Sequence, residues 1–311
     1  MTPEFLALCI AAVAVTAFLT SGSIGAMTLG SEQWIARLAP VAQSRIFLMA
    51  ALAPALVSLA VVGVVVFDLL IPGGAERLCR RHAAAVPPTT VLLIATVLVG
   101  RLGHAVGRAF AGARRSRSTR RALETLGSQT RSGFWIVPVE EVYALVVGLF
   151  RPQVYISQGL LAAADRRDLE PVLAHERSHV RRRDPLRRLI ASLALSFHLP
   201  GVAWALDRRL ARSQEIAADA EGAREIGDSG RFAEALVRLA RIRVAHPALA
   251  AGFLGNDVEA RVRDLLLAGP RPDRPRGALL VFIAVGLLIL GLLAADAVHD
   301  GAEALFGLLT G

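Results

Sequence analysis

The stretch Val172-Leu173-Ala174-His175-Glu176-Arg177-Ser178-His179-Val180 holds the pattern H-E-x-x-H. On a helix, histidines four apart stand on one face, one turn from each other, where both imidazoles can bind a single ion. Zinc accepts imidazole nitrogen, prefers four ligands, and in a catalytic site keeps one position for water. Glu176 sits beside the first histidine. It can take a proton from that water as general base and later hand it to a leaving amine. Taken alone, the pattern also fits an exposed charged helix whose side chains face solvent. A third ligand separates these readings. Arg212-Ser213-Gln214-Glu215-Ile216-Ala217-Ala218-Asp219 places Glu215 and Asp219 four apart, again on one helical face. Glu215 would complete a two-His, one-carboxylate site for one zinc ion per chain. Asp219 would accept the outer N–H of a ligand imidazole and fix its tautomer.

These residues need helices under them and a sheet beside them. The pattern turns helical after Asp168, through Leu169, Val172 and Leu173. Phe134–Val137 and Val154–Ser157 read as short strands, with Gly148 and Arg151-Pro152 supplying turn chemistry. The chain has 311 residues, 54% of them hydrophobic, and a mean hydropathy of +0.51. The excess sits in long apolar runs, which implies a membrane protein with one soluble domain. The expected organisation is a membrane domain over 1–110 with spans at about 5–27, 46–71 and 89–110. A peptidase domain follows over 111–268, then a Pro/Arg linker over 269–276, a fourth span over 277–298 and a short tail over 299–311. The first run has no early Lys/Arg and no tidy cleavage site, so a retained span is expected. Arg101, His104 and Arg108 in the third run are expected to snorkel toward headgroups.

The cluster Arg114, Arg115, Arg117, Arg120 and Arg121 places the following domain in the cytoplasm by the positive-inside rule. The loop with Arg77, Arg80 and Arg81 runs against that rule but carries fewer charges. All 35 Lys+Arg residues are arginine and the formal charge is +9. With so many apolar runs, a basic face against anionic lipid explains that charge better than direct nucleic-acid binding. Cys9 and Cys79 form no metal-type cluster. Leu189–Leu206 is a further apolar run that reads as a span, a hairpin dipping into the bilayer, or a core helix. A full crossing is rejected, because it would part Glu215 from His175. His198 within it reads as a satisfied core histidine. Tyr143 and Tyr155 are packing residues by default and candidates for stabilising an oxyanion.

His175–His179 followed by Glu215-x-x-x-Asp219 is the pattern of gluzincins. The lead-in Gly148-Leu149-Phe150-Arg151-Pro152-Gln153-Val154-Tyr155-Ile156-Ser157-Gln158-Gly159-Leu160-Leu161 resembles that of membrane-embedded gluzincins. Leu173-Ala174-His175-Glu176, Arg182-Arg183-Asp184-Pro185 and Arg261-Val262-x-x-Leu265-Leu266 continue the likeness. The chain resembles the BlaR/MecR family of membrane metallopeptidases over about Gly133 to Leu267, and more distantly the HtpX and CAAX-prenyl proteases. The resemblance implies a mainly α integral membrane protein, with four transmembrane helices and a cytoplasmic α+β gluzincin-type domain between the third and fourth. It implies His175, His179 and Glu215 as zinc ligands, Glu176 as catalytic base and Asp219 as orienting residue. It also implies a sheet, with strands near Trp135 and Tyr155, whose edge pairs with an extended substrate. A bacterial plasma-membrane endopeptidase cutting a protein partner, such as a winged-helix repressor, is the leading expectation. The alternatives are a transducer acting by self-cleavage or partner binding, a quality-control protease, and a scaffold with a vestigial site. Beta-lactam sensors of this family carry a large penicillin-binding domain after the last span, whereas about a dozen residues follow it here. Direct beta-lactam sensing is therefore not expected.

Overall fold

The computed structural model describes residues 3–70, 88–129, 133–245, 251–252 and 258–267. Long helices come first: α1 (Pro3–Gly30), a short α2 (Glu32–Ala36), α3 (Pro40–Leu70) and α4 (Pro88–Leu126). Then come β1 (Ser128–Gln129), β2 (Trp135–Val137), β3 (Tyr143–Val147) and β4 (Gln153–Ser157). The rest is helical: α5 (Gln158–Ala163), α6 (Arg166–Arg182), α7 (Asp184–Ala194), a 3₁₀ turn (Leu195–Phe197), α8 (Pro200–Ile226), α9 (Ser229–Ala245) and α10 (Val258–Leu267). A two-residue β5 (Ala251–Gly252) lies between the last two helices. The protein is mainly helical with one small mixed sheet.

Among the described residues, Pro40–Ala60 is the stretch long and apolar enough to cross a membrane. The helices outrun the apolar windows. α3 begins six residues before the expected span, and α4 continues through the whole basic cluster to Leu126. Arginine is a good helix former, so the helix persists after hydropathy falls. The expected fourth span, the Pro/Arg linker, the tail and the loop over 72–87 lie outside the described residues.

The sheet order is β1-β2-β4-β3-β5. β4 pairs parallel with β2 and antiparallel with β3. The β3–β4 turn needs Gly148, whose φ is 115°, a backbone conformation that L side chains rarely adopt. Ser157 closes β4 by accepting a hydrogen bond from the Leu160 N–H, which caps α5. One apolar core fills the space between the sheet, α6, α9 and α10, around Ile156, Val172, Phe232 and Leu236. A second joins the long helices to the helices that follow the sheet. There Ile24, Ala39, Phe47 and Ala51 pack on Ala191, Leu195, Leu206 and Leu210.

Candidate metal centre

α6 carries His175, Glu176 and His179 on its inward side; His175 and Glu176 are buried. α8 runs antiparallel to it, bringing Asp219 to His175 and Glu215 to His179. Gly222 lets α8 pack closely on both α9 and α6. A Cβ there would fall 2.6 Å from the Phe232 ring and 3.2 Å from the His175 backbone nitrogen. α6 ends at Arg183, the non-glycine residue with left-handed backbone (φ 53°) among those described. That reversal, with Pro185 in the first turn of α7, throws Asp184 back onto His179.

The imidazoles face each other. Their Nε2 atoms are 3.1 Å apart. Behind them, His175 Nδ1 donates to Asp219 at 2.8 Å and His179 Nδ1 donates to Asp184 at 2.7 Å. Both carboxyls are held ionised. Burial opposes this at Asp219, but the Arg261 guanidinium and His175 outweigh it and lower its pKa. Burial likewise opposes it at Asp184, and His179 with Arg182 outweighs it. An ionised carboxylate only accepts, so each Nδ1 carries hydrogen. With both rings neutral, as metal binding requires, two Nε2 lone pairs would face one another. Glu215 adds a carboxylate oxygen 3.6 Å from each Nε2. Three donor atoms, all within 4.8 Å of one another, can hold a metal ion. Two nitrogens and one oxygen with converging lone pairs suit zinc.

The protonation pattern fits the same reading. Burial disfavours charge on His175, but hydrogen bonds to Asp219 and Glu215 raise its pKa to about 9. Without a metal, a proton there relieves the clash of lone pairs. At Glu215 burial is outweighed by His175 and His179, and its pKa falls to about 2. Burial raises Glu176, against the pull of both histidines.

Residues beyond the expected set complete the frame. Arg261, from α10, grips Asp219 with two hydrogen bonds of 2.6 Å and lies 3.9 Å from Glu215. Arg182 binds Asp184, Ser178 Oγ and the Gln214 carbonyl. Ser178 in turn donates to Glu221. The four ligand-pattern residues and Asp219 are thus brought together, whereas Tyr155 turns its hydroxyl to Gln153 and Glu124.

A cleft of about 380 Å³ opens over the three donors. Ala144, Leu145 and Val146 of β3 form one wall, with Pro185, Arg188, Ala211 and Gln214 around the rest; neither tyrosine lines it. The Gln214 side-chain nitrogen is buried without a hydrogen-bond partner. β5 pairs with β3 only at Tyr143 and Ala144. Among the described residues, Leu145–Val147 therefore keep a free edge beside the cleft. The strands near Trp135 and Tyr155, β2 and β4, lie inside the sheet, so the wall belongs to β3.

Residues 136–263 match the BlaR1 peptidase M56 family. A protease HtpX homolog of Pelotomaculum thermopropionicum is 30% identical over 122 residues, covering 28% of this chain and 43% of that protein. A protease HtpX homolog of Acidiphilium cryptum is 28% identical over 169 residues, covering 42% of this chain and 59% of that protein. The chain spans about half the length of these curated relatives. The match to the BlaR1 peptidase M56 family runs from β2 to α10 and takes in both helices of the site.

Proposed function

We propose that the protein is a membrane-bound zinc endopeptidase. The reading rests on one observation above all: two buried-side Nε2 atoms 3.1 Å apart, each ring anchored from behind by a carboxylate, with Glu215 beside both. His175, His179 and Glu215 are the ligands, and Asp219 and Asp184 orient the imidazoles. A zinc ion held there would acidify a water and polarise the scissile carbonyl. Glu176 takes the proton from the attacking water and returns it to the leaving amine. Its burial raises its proton affinity, as that shuttle requires. An extended substrate adds its backbone to the edge of β3 beside the cleft, which supplies hydrogen bonds without demanding a sequence. The substrate is a protein, with a winged-helix transcriptional repressor as the first to try, and the cleft faces the cytoplasm of a multi-pass plasma-membrane protein.

Glu176→Gln keeps the side-chain volume and removes the base. Proteolysis by the purified protein should fall by about 10²–10⁴-fold while bound zinc is unchanged. Undiminished cleavage by that variant would remove Glu176 from the chemistry.

A further inference from the structure

The apolar run Leu189–Leu206 comprises most of α7, the 3₁₀ turn and the first part of α8. It folds back on itself, since Glu215 further along α8 stands beside His175 and His179. We propose that this hairpin is a re-entrant membrane element whose tip enters the hydrocarbon layer by about 10 Å, in the leaflet nearest the peptidase domain. The proposal rests on the reading that α3 crosses a bilayer.

The first ground is a common depth. Arg188 pairs with Asp207 at 3.3 Å. Arg209 donates to the Thr28 carbonyl and reaches Glu32. These contacts fix one charged level shared by α1, α7 and α8. The tip, Leu195–Pro200, lies about seven residues beyond it on both hairpin arms, roughly 10 Å at 1.5 Å per residue. It meets Ser21, seven residues from Thr28; Ala51, six from Arg45; and Arg101, seven from Arg108. Contacts thus give one depth on α1, α7 and α8, α3 and α4 carry Arg45 and Arg108 six and seven residues from their contacts with the tip, and no Asp, Glu, Lys or Arg lies in between on any of the five.

The second ground is how the broken backbone is satisfied. In hydrocarbon, a non-helical turn survives only if protein groups meet its N–H and C=O groups. Arg101 donates to the Ser196 carbonyl at 3.0 Å and to the His198 carbonyl at 2.6 Å. The Leu199 N–H donates to Ser21 Oγ at 2.9 Å. The His198 ring lies 3.2 Å from both Ser21 Oγ and the Ala51 carbonyl. α1, α3 and α4 all contribute. Arg101 is therefore a clamp on the tip and does not snorkel as the sequence suggested.

The third ground is the outer face. Gly201, Trp204 and Arg208 form an exposed stripe on α8, with Trp204 63% exposed. Arg208 sits over its ring at 4.8 Å. An apolar face with an aromatic below a charged level is the composition of a membrane boundary. The consequence is positional. α8 is one unbroken helix, so Glu215 stands about 12 Å above the charged level, and the cleft is held just outside the headgroups.

The test uses the full chain in lipid nanodiscs with Cys9→Ser and Cys79→Ser. Nitroxide labels go on Gly201→Cys, Trp204→Cys, Leu59→Cys on α3 and Phe150→Cys in the β3–β4 turn. All four positions are exposed, and nothing lies within 4 Å of an added Cβ at Gly201. Collision rates with oxygen and with a water-soluble nickel chelate are compared. The expected result groups Gly201 and Trp204 with Leu59, with nickel collisions several-fold below those at Phe150 and lowest of the pair at Gly201. If both instead match Phe150 while Leu59 reads as lipid, the hairpin lies outside the bilayer. Shielding of Gly201 from both reagents would mean a protein cover and would equally overturn the lipid contact. Aqueous values at all four would overturn the membrane reading of α3 together with the hairpin.

Discussion

Asp219 stands behind His175 and Asp184 behind His179, so each imidazole of the candidate centre has its own carboxylate. With His175 raised to about 9, a metal-free site holds a proton where the ion would sit. The sign follows from linkage. A raised histidine pKa contributes stability that is complete below the ordinary value near 6.5 and lost as pH climbs through about 9. Metal and proton compete, so zinc uptake at pH 7 should release a proton, and apparent affinity should climb by up to about tenfold per pH unit toward pH 9. Calorimetric titration in buffers of different ionisation heat reads this directly. Chelated protein should also lose thermal stability over that range while loaded protein does not. Pairing of Glu215 with Asp219 was legible because a helix repeats at four residues. Asp184 was visible only within the family pattern Arg182-Arg183-Asp184-Pro185, since it lies five residues past His179 and beyond the left-handed break at Arg183, which spacing does not reveal. Arg261 was visible only as part of a family pattern, because its contact with Asp219 spans 42 positions.

At the scale of elements, the site is the seam between α6 and α8. Gly222 lies between the Phe232 ring of α9 and the His175 backbone of α6, so Gly222→Val should shift α8 against both and carry Glu215 away from the histidines. The expected cost is about 1–3 kcal/mol from overpacking, together with weakened metal binding. Thermal unfolding and metal content on the same sample check it; a variant with ordinary stability and full metal would show that the seam is not tight there. β2 and β4 were legible from β-branched and aromatic residues between turn signals. β3 was not: Tyr143–Val147 has the burial pattern of a strand packed on both faces and lacks a clean alternation. β5 has two residues, Ala251 and Gly252, too few for any periodicity.

At the scale of the molecule, the long helices and the helices that follow the sheet share a core. Ile24, Phe47 and Ala51 pack against Leu195, Leu206 and Leu210, so neither part is closed without the other. A chain starting at residue 111 would expose that face of α7 and α8. It should elute as aggregate, or require detergent, where the full chain in detergent elutes as a discrete species; a soluble monodisperse fragment would contradict the shared core. Among the described residues, hydropathy marked stretches that lie within α1, α3 and α4 but not the ends of these helices, because it reports an apolar environment and not helix formation. It also left Leu189–Leu206 undecided. A hairpin and a core helix have the same composition, and only the partners of its turn distinguish them.

The most direct test of the central claim is elemental analysis of the detergent-purified protein, wild type beside Glu215→Ala. About one zinc per chain in the wild type, lost or greatly weakened in the variant, is the expected result. No zinc in the wild type after supplementation, or full zinc in Glu215→Ala, would contradict a three-ligand catalytic metal at His175, His179 and Glu215.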